Sequence, residues 1–83
     1  MPSIIIVNNS NEKISAFVSK YTNSDGSDSW YELAANGGRD SWNRGAGWEL
    51  VAFKNANDTT RAGVYVRVNS TVTFRDFNNI SVA

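Results

Sequence analysis

The sequence predicts an all-β fold, a small antiparallel β-sandwich or barrel-like domain of about six to eight short strands. Three observations carry this prediction. Apolar and polar residues alternate with period two in several short runs, as in Val64-Tyr65-Val66-Arg67-Val68. Clusters of Asn, Ser, Asp and Gly separate those runs at short intervals. No window combines helical spacing of apolar residues with helix caps.

The elements follow in order. Ser3 to Val7 is a β-branched run, read as a strand buried on both faces. Asn8-Asn9-Ser10-Asn11 is a turn cluster, and Ile14 to Tyr21 alternates as a second strand. Thr22 to Ser29 is a polar loop, after which Trp30 to Leu33 makes a brief third strand. Asp40 to Asn43 is a candidate fourth, set between the glycine-rich turns Asn36-Gly37-Gly38 and Gly45-Ala46-Gly47. Trp48 to Lys54 is a clear strand, with Leu50, Ala52 and Trp48 on one face and Glu49, Val51 and Phe53 on the other. Asn55 to Arg61 is a polar loop. Val64 to Val68 and Thr71 to Arg75 are two further strands, with Asn69-Ser70 placed as a hairpin turn between them. Phe77 to Val82 either adds a last strand or packs against a partner chain.

With 83 residues the chain reads as a single domain, 1–83. A domain of this size buries only about 60–65% of its unfolded surface, so its core is modest. It contains no cysteine and no histidine, which excludes disulfide frameworks and Cys/His zinc sites. No cofactor or metal is expected. A homodimer or larger assembly is expected instead as a source of stability. Eight basic and eight acidic residues cancel, so the Lys/Arg surplus that nucleic-acid binding requires is missing. The N-terminal apolar run Ile4 to Val7 is too short for a signal peptide or a transmembrane segment. The expected location is therefore the cytoplasm, and the Asn-x-Ser/Thr triplets at Asn8, Asn57, Asn69 and Asn79 read as accidental.

The candidate site is the stretch from Trp30 to Trp48, which holds all three tryptophans and Tyr31 among turn-forming and charged residues. Indole and phenol rings stack on the apolar face of a pyranose, while Asn, Asp, Arg and hydroxyl groups meet its rim. Trp42 is the expected stacking ring, because Asp40-Ser41-Trp42-Asn43-Arg44 is polar on every side. Asp40 and Asn43 would accept or share hydroxyl protons, and Arg44 would donate. Trp30 and Tyr31 would form a wall or contribute from a neighbouring subunit, and Arg39 belongs to the same ligand set. Trp48 opens a hydrophobic strand and is expected to lean toward the core, although it stays in the ligand set.

Each of these residues also has a plainer explanation, since a small β domain needs large rings as interior filler. Asn23-Ser24-Asp25-Gly26-Ser27-Asp28 has oxygen ligands suited to calcium, but lacks the order and terminal glutamate of an EF-hand and reads as a solvated loop. Without His or Cys no nucleophile–base pair of the Ser-His or Cys-His kind can form. Glu32, Asp40 and Glu49 could supply a glycosidase's carboxylate pair, but so short a chain rarely encloses the dry cleft that such a pair needs. The reading is non-catalytic.

Over SWNRGAGWELVAFKN (41–55) and RAGVYVRVNSTVTF (61–74) the chain resembles the small leaderless proteins of mushroom fruit bodies, lectins among them. The resemblance is one of asparagine-rich, cysteine-poor, all-β style over most of the chain. It implies a fungal, oligomeric lectin that binds the glycans of glycoproteins or glycolipids, and no binding residue is carried over from it. Two other readings remain open. One is a membrane-active, pore-forming defence protein, and the other is an interaction or protease-inhibitor module that presents the Thr22–Ser29 loop to a partner.

Overall fold

Alternation along the chain resolves into eight strands: β1 (Ser3–Asn8), β2 (Ile14–Val18), β3 (Tyr31–Leu33), β4 (Gly38–Asn43), β5 (Trp48–Asn55), β6 (Arg61–Arg67), β7 (Thr71–Asp76) and β8 (Asn79–Val82). The computed structural model describes residues 2–83. Two four-stranded sheets, ordered β4-β1-β7-β8 and β3-β2-β5-β6, form a β-sandwich. The C-terminal run is a strand, paired with β7 through a ladder that is irregular between Phe74 and Asp76.

The core is built from alternate residues of both sheets. Ile4, Ile6, Trp42, Val72 and Phe74 come from the first sheet, and Ile14, Ala16, Val18, Leu33, Val51, Phe53 and Val66 from the second. Phe53 and Phe74 meet across the interface with ring centroids 4.9 Å apart. Burying each such ring contributes roughly 1.5–3 kcal/mol relative to leaving it in water.

Four expectations need correction. The ladders are not all antiparallel, because β1 and β7 run parallel. Asn69-Ser70 is not a hairpin turn, since β6 and β7 belong to different sheets. It is a corner, with Asn69 at φ 78° and its amide donating to the Ser3 carbonyl at 2.8 Å. The corner carries the chain across the sandwich, so β7 arrives beside β1 in the same direction. Nor is β1 buried on both faces: Ile4, Ile6 and Asn8 are buried, while Ser3, Ile5 and Val7 are half-buried, because a two-layer sandwich covers only the inner face.

Strand β2 also stops at Val18, short of Tyr21. Beyond it the backbone leaves the ladder to meet Glu49, whose carboxylate accepts hydrogen bonds from the Tyr21 and Thr22 amides at 3.0 and 2.8 Å and from the Ser19 and Thr22 hydroxyls. A second polar hub is Asn8. Its buried side-chain amide donates to the carbonyls of Glu12, Leu33 and Ala34 and accepts from Ser10. This ties the β1–β2 turn to the β3–β4 turn. Where that turn enters β4, Gly38 is required, because a Cβ there would lie 2.3 Å from the Ala34 carbonyl oxygen.

Candidate functional site

The sandwich is open along one edge. β3 and β4 are the outer strands of their sheets, and β3 is only three residues long. In the β1–β4 ladder Trp42 stands opposite Ile4 and Asp40 opposite Ile6, so both turn toward the inner face. In the β2–β3 ladder Tyr31 stands opposite the buried Ala16 and likewise faces inward. With no further strand to cover that edge, these side chains look into a cleft of about 350 Å³. The loop following β2 closes one end of it.

The cleft is lined by Tyr31, Asp40, Ser41, Trp42, Asn43 and Arg44, together with Asn23, Asp25, Gly26 and Ser27 of the loop. The Tyr31 and Trp42 rings meet edge to face, with centroids 6.1 Å apart and planes 66° apart. Tyr31 is 41% exposed and shares a hydrogen bond of 2.6 Å between its hydroxyl and Ser27 Oγ. Asp40 uses Oδ1 to accept the Ser41 amide at 2.8 Å, which leaves Oδ2 for a ligand. Asn23 donates to the Asn43 carbonyl at 3.2 Å and accepts the Asp25 amide at 3.2 Å, so the loop is pinned to β4.

Five residues singled out from sequence, Tyr31, Asp40, Trp42, Asn43 and Arg44, are brought together here. Two of them have roles other than those expected. Trp42 is only 5% exposed and is packed into the core cluster. It cannot be an open stacking platform, and the exposed aromatic face in the cleft belongs to Tyr31. Arg44 is 2% exposed and spends its guanidinium on main-chain carbonyls: Nε donates to Ser19 at 2.7 Å, Nη1 to Asn43 at 2.6 Å, and Nη2 to Val18 at 3.0 Å and to Ser27. Its Nε also lies 3.8 Å from Glu49 Oε2. Arg44 is therefore a pin holding the cleft wall, not a donor to a ligand. The wall packs against it so closely that a Cβ on Gly26 would lie 2.5 Å from Nη1.

Burial pushes the Glu49 carboxyl up, but hydrogen bonds from Ser19, Thr22 and Tyr21 outweigh it and hold the group below the usual carboxylate range. Glu49 therefore stays ionised beside Arg44, and the two charges cancel locally. What the cleft offers a ligand is then acceptor-rich, with Asp25 and Asp40 exposed.

The remaining sequence candidates lie elsewhere. Trp30 does not join Tyr31 as a wall. It packs on Phe17 at 5.5 Å, and Lys54 Nζ and Arg61 lie over its ring at 4.6 and 5.4 Å. Successive strand residues point to opposite faces, so Trp30 and Tyr31 serve opposite sides of the sheet. Arg39 lies opposite Val7 and borders a shallow outer hollow with Ile5, Asp40 and Ser41. Trp48 is not core: it is 56% exposed, because Glu49, Val51 and Phe53 take the inner face of β5. The carboxylates weighed as a catalytic pair are dispersed, with Glu32 paired to Lys13 at 3.3 Å and Glu49 buried behind the wall. Sequence reasoning missed Asn23, Asp25 and Ser27 as cleft residues. The available signal was the density of side-chain oxygens in that loop, which pointed to calcium or a partner protein instead.

Among the described residues no group of three or more acidic side chains is placed to hold a metal ion, and no helix is long and apolar enough to cross a membrane. No protein-family model, curated protein or solved structure matches the chain.

Proposed function

We propose that the chain is a non-catalytic carbohydrate-binding domain that seats a neutral sugar in the cleft between β3 and β4. The observation that carries this reading is the convergence of the exposed Tyr31 ring with Asp40, Asn43, Asn23 and Asp25 in one open cleft. The Tyr31 face would stack on the apolar face of a pyranose, over a floor formed by Trp42. Asp25 and Asp40 would accept hydroxyl protons, and the Asn23 and Asn43 side chains would share others. The volume lies at the small end of the roughly 300–1,000 Å³ range of small-molecule sites, which suits one or a few sugar rings.

Asp25 and Asp40 are both exposed to water. Neither sits in the dry, enclosed cleft that a glycosidase's carboxylate pair needs, which supports binding over hydrolysis. A single shallow site of this kind would bind near the millimolar level, about −4 kcal/mol. Presentation in two or more copies, as a homodimer or larger assembly on cell-surface glycans, would raise avidity by orders of magnitude. The assembly is part of the proposal.

The test is titration with a panel of neutral monosaccharides, read by intrinsic fluorescence and by a glycan array. Tyr31→Ala and Asp40→Asn should each weaken the responding sugar about tenfold or more while the fold is kept, as for a lost stacking ring or charged acceptor. A protein that answers no sugar on either readout, or variants that bind as the wild type does, would remove the cleft as a glycan site.

A further inference from the structure

We propose that a second cleft, where β5 begins and β6 ends, binds an anionic sugar ring through Trp48 and Arg67. This cleft of about 280 Å³ is lined by Pro2, Ala46, Gly47, Trp48, Arg67, Val68 and Asn69. It shares no residue with the β3–β4 cleft and does not depend on the reading given to that one.

Its chemistry is the reverse of the first cleft. Trp48 and Arg67 are direct partners in the β5–β6 ladder, so their Cβ atoms are about 4.5–5.5 Å apart and both side chains leave the sheet on the same face. Trp48 is the most exposed of the three indoles. The ion pairs of the described residues join Lys13 to Glu32, Arg44 to Glu49 and Arg61 to Asp58, so Arg67 has no carboxylate partner. No acidic residue lines the cleft.

An unpaired guanidinium beside an open indole face presents two things at once. One is a planar fork of donors matched to a carboxylate or sulfate, and the other is a surface for the C–H face of a ring. The exposed Asn69 amide is the third polar group within reach of a ring hydroxyl.

The cleft is also held in place before any ligand arrives. Val68 donates its amide to the Gly47 carbonyl at 2.9 Å, Ser70 to Arg67 at 3.2 Å, and Asn69 to Ser3 at 2.8 Å. Gly47 takes φ 135°, which brings the turn entering β5 beside the corner leaving β6. The walls are therefore short, hydrogen-bonded turns, and little ordering cost falls on binding. The ligand class that follows is a pyranose carrying a carboxylate or a sulfate ester, which a neutral hexose would not replace.

The experiment is an NMR titration of the wild-type protein with D-glucuronate, glucose 6-sulfate and glucose, following the three indole N–H signals assigned by single Trp substitutions. The two anionic sugars should shift the Trp48 signal saturably, and glucose should not. Arg67→Met should weaken the anionic sugars about tenfold or more. Raising NaCl from about 0.05 to about 0.5 M should weaken them several-fold. Arg67 and Trp48 are both exposed, so these variants should fold, and circular dichroism checks that directly. A Trp48 signal that ignores all three sugars, that answers glucose as strongly as glucuronate, or that is unchanged by Arg67→Met would overturn the proposal. Loss of neutral-sugar binding at the β3–β4 cleft in Tyr31→Ala should leave the Trp48 response intact, so the two sites fail separately.

Discussion

Replacing Arg44 with methionine tests the central structural argument, because stem volume is kept while the guanidinium is lost. The substitution leaves the carbonyls of Ser19, Val18, Asn43 and Ser27 without their donor and leaves Glu49 as a buried charge without its partner. Breaking a buried pair from one side costs about 3–5 kcal/mol. The stability of a domain of 83 residues is about 4–12 kcal/mol at 0.05–0.15 kcal/mol per residue. The variant should thus lose about a quarter or more of its stability. For this size each kcal/mol lowers Tm by about 4–8 °C, so a fall of about 12–40 °C is expected. Thermal and urea unfolding followed by circular dichroism measure it. Glu49→Gln should be costly for a related reason: one carboxylate oxygen becomes an NH2 that faces the amide donors of Tyr21 or Thr22. The pH dependence supplies the sign. The Glu49 pKa is lower folded than unfolded, so its stabilisation is complete above the unfolded value of about 4.3 and is lost as pH falls through the folded value. Glu49→Gln should remove that part of the acid sensitivity. An Arg44→Met protein within about 1 kcal/mol of wild type would show that the network is not what holds this end of the sandwich.

Phe53→Ala, which empties the centre of the inter-sheet core beside Phe74, should cost about 3–5 kcal/mol, measured by the same unfolding curves with the urea slope unchanged. A sugar that binds the β3–β4 cleft should raise Tm, by about 2.7 kcal/mol of added stability at a hundred times its Kd, as read by thermal shift. Arg44→Met should shrink that ligand-dependent gain even where the variant is folded, because Arg44 holds Ser27 and Asn43 of the cleft wall.

The strands were legible from the sequence because their signal is local. Val64 to Val68 and Trp48 to Lys54 alternate strongly, and no competing periodicity obscures them. Sheet membership was not legible, because Asn69-Ser70 suits a hairpin and a corner equally well. What decides between them is the long-range pairing of β7 with β1. The aromatic–polar stretch stands out as a candidate for the same local reason, and five of its residues line one cleft. The exposure of each ring was not legible. Sequence context suggested an open Trp42 and a Trp48 leaning to the core, and the structure has the reverse. The cause is Glu49. The expectation for Trp48 rests on its place at the start of a hydrophobic strand, whereas Glu49 takes the inner face there together with Val51 and Phe53. The partners that make the burial of Glu49 tolerable lie 27 to 30 positions away at Ser19, Tyr21 and Thr22, beyond the reach of any local pattern.

That same buried acid links fold to site. Past Ser19, whose amide still donates to the Leu50 carbonyl at 2.9 Å, Glu49 takes the Tyr21 and Thr22 amides in place of a ladder partner, and Thr22 Oγ1 in turn accepts the Gly45 amide at 2.9 Å. The chain is thereby turned away from the sheet just before the loop that carries Asn23, Asp25 and Ser27. Arg44, fixed beside Glu49, then holds Ser27 by its carbonyl and sets that loop against β4. Had position 49 been apolar, β2 could have continued in its ladder through Tyr21, and the loop would have lost the contacts that place it at the sandwich edge. The polar cluster behind the wall thus costs desolvation in the core and yields a shaped cleft on the surface. Core filling alone gives no reason to bury Arg44 and Glu49 in so small a domain, and positioning the cleft wall does.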